Sequence, residues 1–322
     1  MNRGFWDTLP KPFFALAPMA GVTDTVFRQI IASRAKPDIF WTEFVSCDGL
    51  CSKGRGALLR DLSYSEVERP IVAQVFGATP KHFFETAKLV ADLRFDGIDI
   101  NMGCPDRAVV GQGAGAALLK NPSLAKEIIL ATKEGAGALP VSVKTRIGFD
   151  DVEIDSWIPA LLETGLAALT IHLRTKKELS ESPAHWDLLP HIVEMRVGTN
   201  TLLLGNGDVE NLDDARRKLD ETGADGIMLG RAIFGNPWLF DASGKIPTVH
   251  EKLEALLLHM ELFENTWKGM KPFELMKKHA KAYVNGFSGA SKLRAKLMEC
   301  ERASEAKEII ARFVSTLSNL EG

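Results

Sequence analysis

The chain reads as an α/β protein, a (β/α)8 TIM barrel followed by a C-terminal all-helical domain. Three observations carry this reading. Short apolar segments recur eight times before residue 230, segments with helical features lie between them, and beyond residue 243 only helical spacing remains. Alternating strands and helices build a parallel sheet, and eight such units close a barrel.

The expected strands are Phe14–Ala17, Ile39–Thr42, Ile71–Phe76, Gly97–Asn101, Val141–Lys144, Leu169–His172, Leu202–Gly205 and Gly226–Leu229. Thr79-Pro80 opens a helix, with Thr79 at the N-cap and Pro80 at the first helical position. Asn121-Pro122 repeats that opening, and Asn211 precedes a first turn carrying Asp213 and Asp214. A doubly wound sheet is the main rival, but it would place a G-x-G-x-x-G fingerprint after the first strand. Pro18-Met19-Ala20-Gly21 stands there instead. Gly111, Gly113 and Gly115 sit away from a strand end and read as a flexible loop into a helix. Leu253, Leu256, Leu257, Met260 and Phe263 repeat at helical spacing, as do Leu275, Met276, His279 and Tyr283. The domains expected are residues 1–243 for the barrel and 244–322 for the helical bundle.

Composition sets outer limits. Apolar residues make up 45% of 322 and charged residues 25%, ordinary values for a globular protein. No apolar run reaches the length of a membrane span, and the first residues lack the apolar core of a signal peptide. The four cysteines, Cys47, Cys51, Cys104 and Cys300, form no disulfide framework. A reducing cytoplasm and a monomer are expected, with no membrane association and no metal. The net charge of −3 requires any nucleic-acid contact to come from a local patch. Between Lys271 and Cys300 seven basic residues face two acidic ones, a local +5 that includes Lys277 and Lys278.

In a barrel of this kind the chemistry lies on the loops after the strands. Those ends supply Pro18, Met19 and Ala20, Glu43, Gln74, Asn101 and Cys104, Lys144 and Arg146, His172 and Arg174, Asn206-Gly207-Asp208, and Gly230-Arg231. Gly103 and Pro105 give Cys104 a shaped turn, since glycine is free at φ and proline restricts the residue before it. The glycine-bearing ends of strands seven and eight suit a phosphate, and Arg231 adds charge. The ligand is then a sugar phosphate or a flavin mononucleotide. Lys144 fits a cation set against the pyrimidine edge of a flavin, with Gln74 at its polar edge. A lysine in that place fits a Schiff base equally well.

Several motifs, taken in order, resemble the tRNA-dihydrouridine synthases, flavoenzymes that reduce uridines in tRNA. They are Ala17-Pro18-Met19-Ala20-Gly21-Val22-Thr23-Asp24, Gln74-Val75-Phe76-Gly77, Ile98-Asp99-Ile100-Asn101-Met102-Gly103-Cys104-Pro105 and Gly113-Ala114-Gly115-Ala116-Ala117-Leu118-Leu119. Val143-Lys144-Thr145-Arg146-Ile147-Gly148, Asn206-Gly207-Asp208, Gly226-Ile227-Met228-Leu229-Gly230-Arg231-Ala232 and Gly235-Asn236-Pro237-Trp238 follow. The resemblance implies an FMN barrel reduced by NADPH or NADH, and a C-terminal domain that helps hold tRNA. It implies that Pro18, Met19 and Ala20 line the flavin, that Gln74 and Lys144 contact its ring, and that His172 lies close. By the same carry-over Asn206, Gly207, Asp208, Gly230 and Arg231 cradle the phosphate, Asn101 meets the target base and Cys104 donates the proton. Arg107, Arg174, Lys277 and Lys278 fall on the RNA side.

The chain departs from the family pattern near that side. Only Arg107 represents the lysines common after the cysteine, Leu173 replaces the glycine after His172, and Glu178 and Ser180 replace a glutamine and a tyrosine. A free thiol keeps its proton near neutrality, and no activating base is identifiable beside Cys104, so the residue suits a general acid better than a nucleophile. Two other functions compete. One is an FMN barrel reductase of a free pyrimidine or other small molecule, and the other is a flavin-free RNA-binding scaffold.

Overall fold

The computed structural model describes residues 3–318. The chain folds as two compact units. The first runs to Thr25 and resumes from Pro37 to Gly230, and the second takes Val26–Lys36 and the chain from Arg231 onward. The helix Thr25–Arg34 therefore belongs almost wholly with the second unit, an assignment that local sequence pattern does not announce.

The first unit is the barrel. Its strands are β1 (Phe13–Leu16), β2 (Phe40–Trp41), β3 (Val45–Ser46), β4 (Ile71–Phe76), β5 (Gly97–Met102), β6 (Val141–Arg146), β7 (Ala168–His172), β8 (Leu202–Asn206) and β9 (Gly226–Leu229). Every pairing is parallel, and the order is β1-β9-β8-β7-β6-β5-β4-β2, with β3 also on β4. A parallel bridge between Ala15 and Ile39 brings β1 towards β2 and nearly closes the ring. The eight expected strands are all present. The second is present as β2, a further short strand, β3, outside the expected eight follows it, and the Thr42 hydroxyl between them accepts the Gln74 N–H at 3.0 Å.

Side chains alternate along each strand, so one set of positions faces the barrel interior. Near the strand starts that set is apolar. Trp6, Phe13, Trp41, Val72, Ala168 and Leu202 form one buried cluster, and Trp6 lies 6.0 Å from Trp41 ring to ring. Towards the strand ends the same faces turn polar, through Gln74, Asp99 and Asn101 to Ser142, Lys144, His172 and Asn206. The switch places these hydrogen-bonding side chains of the interior at one end.

Two helix openings expected from sequence carry real caps. Asn121 accepts the Leu124 N–H at 3.2 Å, and Asn211 accepts the Asp214 N–H at 2.9 Å. Thr79 occupies its N-cap position, but its side chain makes no capping bond, and Pro80 alone sets that start.

The second unit is helical, with helices Val249–Trp267, Leu275–Tyr283, Ala290–Leu297 and Ala303–Ser318. A Thr248–Glu251 capping box opens the first of these. Its core is aromatic. His259 stacks on Phe27 at 4.9 Å with the rings 4° apart, and His279 meets both edge-on. Of the seven basic residues between Lys271 and Cys300, Lys281, Lys292 and Lys296 are exposed, while Lys271, Lys277, Lys278 and Arg294 are half-buried. Arg294 donates to the Val284 carbonyl at 3.0 Å and Lys271 sits over the Trp267 ring, so the run is not one uniform solvated face. No helix among the described residues is long and apolar enough to cross a membrane.

Candidate active site

One directed chain of hydrogen bonds organises the C-terminal end of the barrel. Asp99 is fully buried and accepts from the Ser142 hydroxyl at 2.6 Å and from Gln74 Nε2 at 2.7 Å. Burial pushes its carboxyl up to about 6, opposed by those two donors and by the charge of Lys144. A carboxylate only accepts, so it fixes which end of the Gln74 amide points at it. Gln74 Oε1 then accepts from Asn101 Nδ2 at 3.1 Å, which leaves Asn101 Oδ1 free of that task. That oxygen accepts the backbone N–H groups of Gly103 at 3.1 Å and Cys104 at 2.9 Å.

The thiol turn is pinned from three further directions. Arg146 Nε donates to the Gly103 carbonyl at 2.8 Å. The Ala116 N–H donates to the Cys104 carbonyl at 3.0 Å. Gly115, at φ +58°, runs so close that a Cβ there would stand 2.9 Å from that same carbonyl oxygen and 3.3 Å from Cys104 Cβ. The glycine-rich stretch expected to be a loose connection is the lid against which the turn is set. Cys104 remains half-buried, and that burial raises its thiol above the ordinary value. The Asp106 N–H and the charges of Arg146 and Lys144 work in the other direction.

Lys144 lies across the β5–β6 ladder from Asn101. Its Nζ donates to Asn206 Oδ1 at 3.0 Å, and Asn206 Nδ2 donates on to the Met228 carbonyl at 2.8 Å. Burial, assisted by the charge of Arg146, pushes the lysine down to about 8. After β8 the chain turns at Gly207, φ +132°, where a Cβ would stand 2.8 Å from Ala184 Cβ and 3.3 Å from the His172 ring. Asp208 follows with a left-handed backbone, and its carboxylate pairs with Arg174 and accepts the Ala184 N–H at 3.0 Å. Pro18 and Met19 are half-buried and Ala20 exposed after β1, and a Cβ at Gly230 would stand 3.6 Å from Ala17 Cβ.

Three of these positions have protein partners that their sequence context does not announce. Arg174 is turned inward. It is 2% exposed and held by Asp208, by the Ser182 carbonyl at 2.6 Å and by His172 Nε2 at 3.2 Å. Gln74 and Asn101, 0% and 6% exposed, are engaged first with one another and with the turn. Glu178 is turned inward: burial raises its carboxyl, but His185 at 2.7 Å and the Thr175 N–H at 2.7 Å hold it below its usual range. Arg107 is exposed in the short helix Arg107–Gly111, and Arg231 is exposed at the start of the second unit.

Arg146 stands among the strand-end residues, yet its sequence context gives it no role. It is nearly buried, and besides Gly103 its Nη1 donates to the carbonyls of Thr175 at 2.9 Å and Leu179 at 3.1 Å. Burial pushes its guanidinium down to about 10, and it stays charged at neutral pH. An arginine two places after a strand-end lysine is the available signal. Asp99 and Ser142 are legible only as alternating polar residues on β5 and β6.

The fold and this end of the barrel define an enzyme class: a parallel barrel whose hydrogen-bonded rim combines a thiol, a half-buried lysine and a glycine-bearing turn. The family described as dihydrouridine synthase (Dus) matches residues 15–319. A probable tRNA-dihydrouridine synthase of Staphylococcus aureus strain MRSA252 is 42% identical over 318 residues, covering 97% of this chain and 96% of the relative. Probable tRNA-dihydrouridine synthase 2 of Bacillus subtilis strain 168 is 41% identical over 318 residues, covering 97% of each. This chain belongs to the dihydrouridine synthase family. Two solved structures share the fold at low identity. A variant of NCR from Zymomonas mobilis superposes with TM-score 0.50 at 17% identity, over 74% of this chain and 90% of that one. Histamine dehydrogenase from Rhizobium sp. 4-9 gives 0.56 at 13%, over 77% of this chain and 48% of that one.

Proposed function

We propose that this chain reduces the C5=C6 bond of specific uridines in tRNA, with FMN as resident cofactor and NADPH or NADH as reductant. The observation that carries the reading is Cys104, a thiol that keeps its proton, held rigidly at the rim that also presents Lys144. The family membership and the names of the relatives support it.

The residues present fit a flavin phosphate. Lys144 is a half-buried cation whose hydrogen bond goes to a neutral amide, so it gains from an anionic or electron-rich partner. The Cβ side of Gly207 is filled by Ala184 and His172, whereas at Gly230 the nearest atom is Ala17 Cβ at 3.6 Å, which leaves that backbone the more open to a ligand. The Asp208 carboxylate is neutralised by Arg174, so its charge does not oppose a phosphate at the same turn. Lys144 and Gln74 would hold the ring, Pro18, Met19 and Ala20 its face, His172 its flank, and Asn206, Gly207, Asp208, Gly230 and Arg231 the phosphate.

Bound FMN, once reduced, supplies the hydride that C6 of the uridine accepts. Cys104 meets the negative charge that develops at C5, and its raised thiol pKa keeps the proton in place until then. Asn101 orients that thiol through two backbone N–H groups, and a second amide hydrogen is left to the base. The target base leaves its stack to reach this site, so the RNA must be held elsewhere. Arg107, Lys277 and Lys278 are the proposed contacts, together with exposed Lys281, Lys292 and Lys296.

The test is an assay of the FMN-loaded protein and NADPH on unmodified tRNA transcript and on free uracil. Dihydrouridine in the transcript without reduction of uracil is expected. Reduction of uracil alone supports the small-molecule reductase, and a protein that binds no flavin supports the scaffold.

A further inference from the structure

The segment after β7 contains a residue that local energetics disfavours twice. Leu179 has φ +54°, a left-handed backbone that leucine rarely adopts. Its side chain is 41% exposed, an apolar group left in water. Neither cost is repaid by packing of the side chain in the core. The backbone is nevertheless held firmly. Its carbonyl accepts from Arg146 Nη1 at 3.1 Å, and the same guanidinium holds the Gly103 carbonyl through Nε at 2.8 Å. One planar group thus spans from the Cys104 turn to Leu179. The backbone N–H groups of Lys176 and Lys177 donate to the Gly148 and Phe149 carbonyls at 2.9 Å, which fixes the segment from its other side. Lys120 and Lys176 both stand over the Phe149 ring, at 3.8 and 4.8 Å, and Lys177 is exposed. Leu179 is thus an exposed apolar residue on a strained, braced backbone, bordered by cations and tied to the Cys104 turn.

We propose that Leu179 is the wedge that fills the gap in the base stack when the target uridine turns out towards Cys104. This rests on the tRNA reading above and adds a residue to it. Enzymes that work on an extruded base must offset its lost stacking. Apolar side chains inserted at a base step serve that purpose in proteins that deform nucleic acids. Lys176 and Lys177 supply charge for the phosphates on either side of such an insertion. Arg146 makes the insertion and the acid turn move as one body, which is the reason to hold both carbonyls on one guanidinium.

Leu179→Gly is the informative variant, because glycine accepts this backbone without strain and the change does not threaten folding. The probe is an unmodified tRNA transcript with 2-aminopurine beside the mapped product uridine. The FMN-loaded wild type should raise the 2-aminopurine fluorescence on binding. Leu179→Gly should bind the transcript within about two-fold of wild type and give little of that rise. It should also reduce uridine about ten-fold more slowly, from the share of unstacking that one wedge offsets. Flavin reduction by NADPH should be unchanged, and Leu179→Met should restore the rise. A full fluorescence rise in the glycine variant, no rise in wild type, or a loss of tRNA binding itself would each overturn the wedge. Absence of dihydrouridine with the wild type would sink the tRNA reading instead, so the two failures are distinct.

Discussion

Asn101 Oδ1 accepts the backbone N–H of Cys104 at 2.9 Å, and the direction of that bond is set by a carboxylate two side chains away. Asp99 fixes the Gln74 amide, Gln74 fixes the Asn101 amide, and Asn101 fixes the turn. The thiol position is therefore an output of a buried polar network rather than of the turn alone.

Disturbing the network should cost catalysis before it costs cofactor. Asn101→Asp replaces the amide that donates to Gln74 with an acceptor facing another acceptor. Uridine reduction should fall by about 100-fold, the scale for a small misplacement of a reacting group. Flavin reduction by NADPH should stay within about three-fold. Stopped-flow measurement of the two half-reactions distinguishes them.

Arg146 joins the thiol turn to the segment after β7, and lysine cannot replace it, because a single ammonium cannot reach three carbonyls held by a planar fork. Arg146→Lys should lose most of the uridine step while keeping FMN. A neutral replacement, Arg146→Met, also removes a charge that lowers the Cys104 thiol, so in that variant the alkaline limb of the uridine-reduction rate should move to higher pH. A pH profile of the pre-reduced enzyme reads that shift, and a purely structural defect would lower the rate without moving the limb.

Lys144 is the cation proposed to face the flavin, and burial holds it at about 8 in the unliganded protein. Its charge is lost as pH rises through that value, so FMN affinity should weaken above about pH 8. Lys144→Arg should remove this dependence, since arginine stays protonated there. Fluorescence titration of FMN from pH 6.5 to 9.5 would check it, on a scale of roughly ten-fold per unit of pH once deprotonation is complete. The same shift acts on folding. Between the folded value near 8 and the unfolded value near 10.5 the unfolded chain holds the extra proton, so the empty protein gains stability as pH rises through that window.

The second unit should be acid-labile. His259 is buried on Phe27 with neither ring nitrogen hydrogen-bonded, beside His279, Tyr283 and the charge of Lys278, and burial pushes it down to about 3. Below its unfolded value of 6.5 the unfolded state takes a proton that the folded state refuses, so stability falls as pH drops from 6.5 towards 3. His259→Phe keeps the stack and removes the titration. Its thermal unfolding midpoint should fall less than that of wild type between pH 7 and pH 4.5.

The strands and the useful end of the barrel were legible because both depend on local pattern. Apolar runs such as Ile71–Phe76 form strands wherever a sheet will take them, and their C-terminal ends present chemistry by topology. Partners were not legible, because they are distant in sequence. Nothing near Arg174 announces Asp208, and nothing near Gly115 announces that Cys104 lies beneath it. The break between β2 and β3 depends on Thr42 meeting Gln74, a pair 32 residues apart. A charge run does not say which of its members make contacts within the protein, as Arg294 and Lys271 do with the Val284 carbonyl and the Trp267 ring.

Cys104 as the proton donor is the centre of this account, and single-turnover reduction of tRNA tests it most directly. Wild type and Cys104→Ala, both loaded with FMN and reduced beforehand, would be mixed with unmodified transcript while flavin oxidation and dihydrouridine are followed together. The variant should take up NADPH electrons at the wild-type rate and transfer them to uridine at least about 100-fold more slowly, the scale of a lost general acid. Equal loss in both half-reactions, or no loss in either, would contradict the assignment.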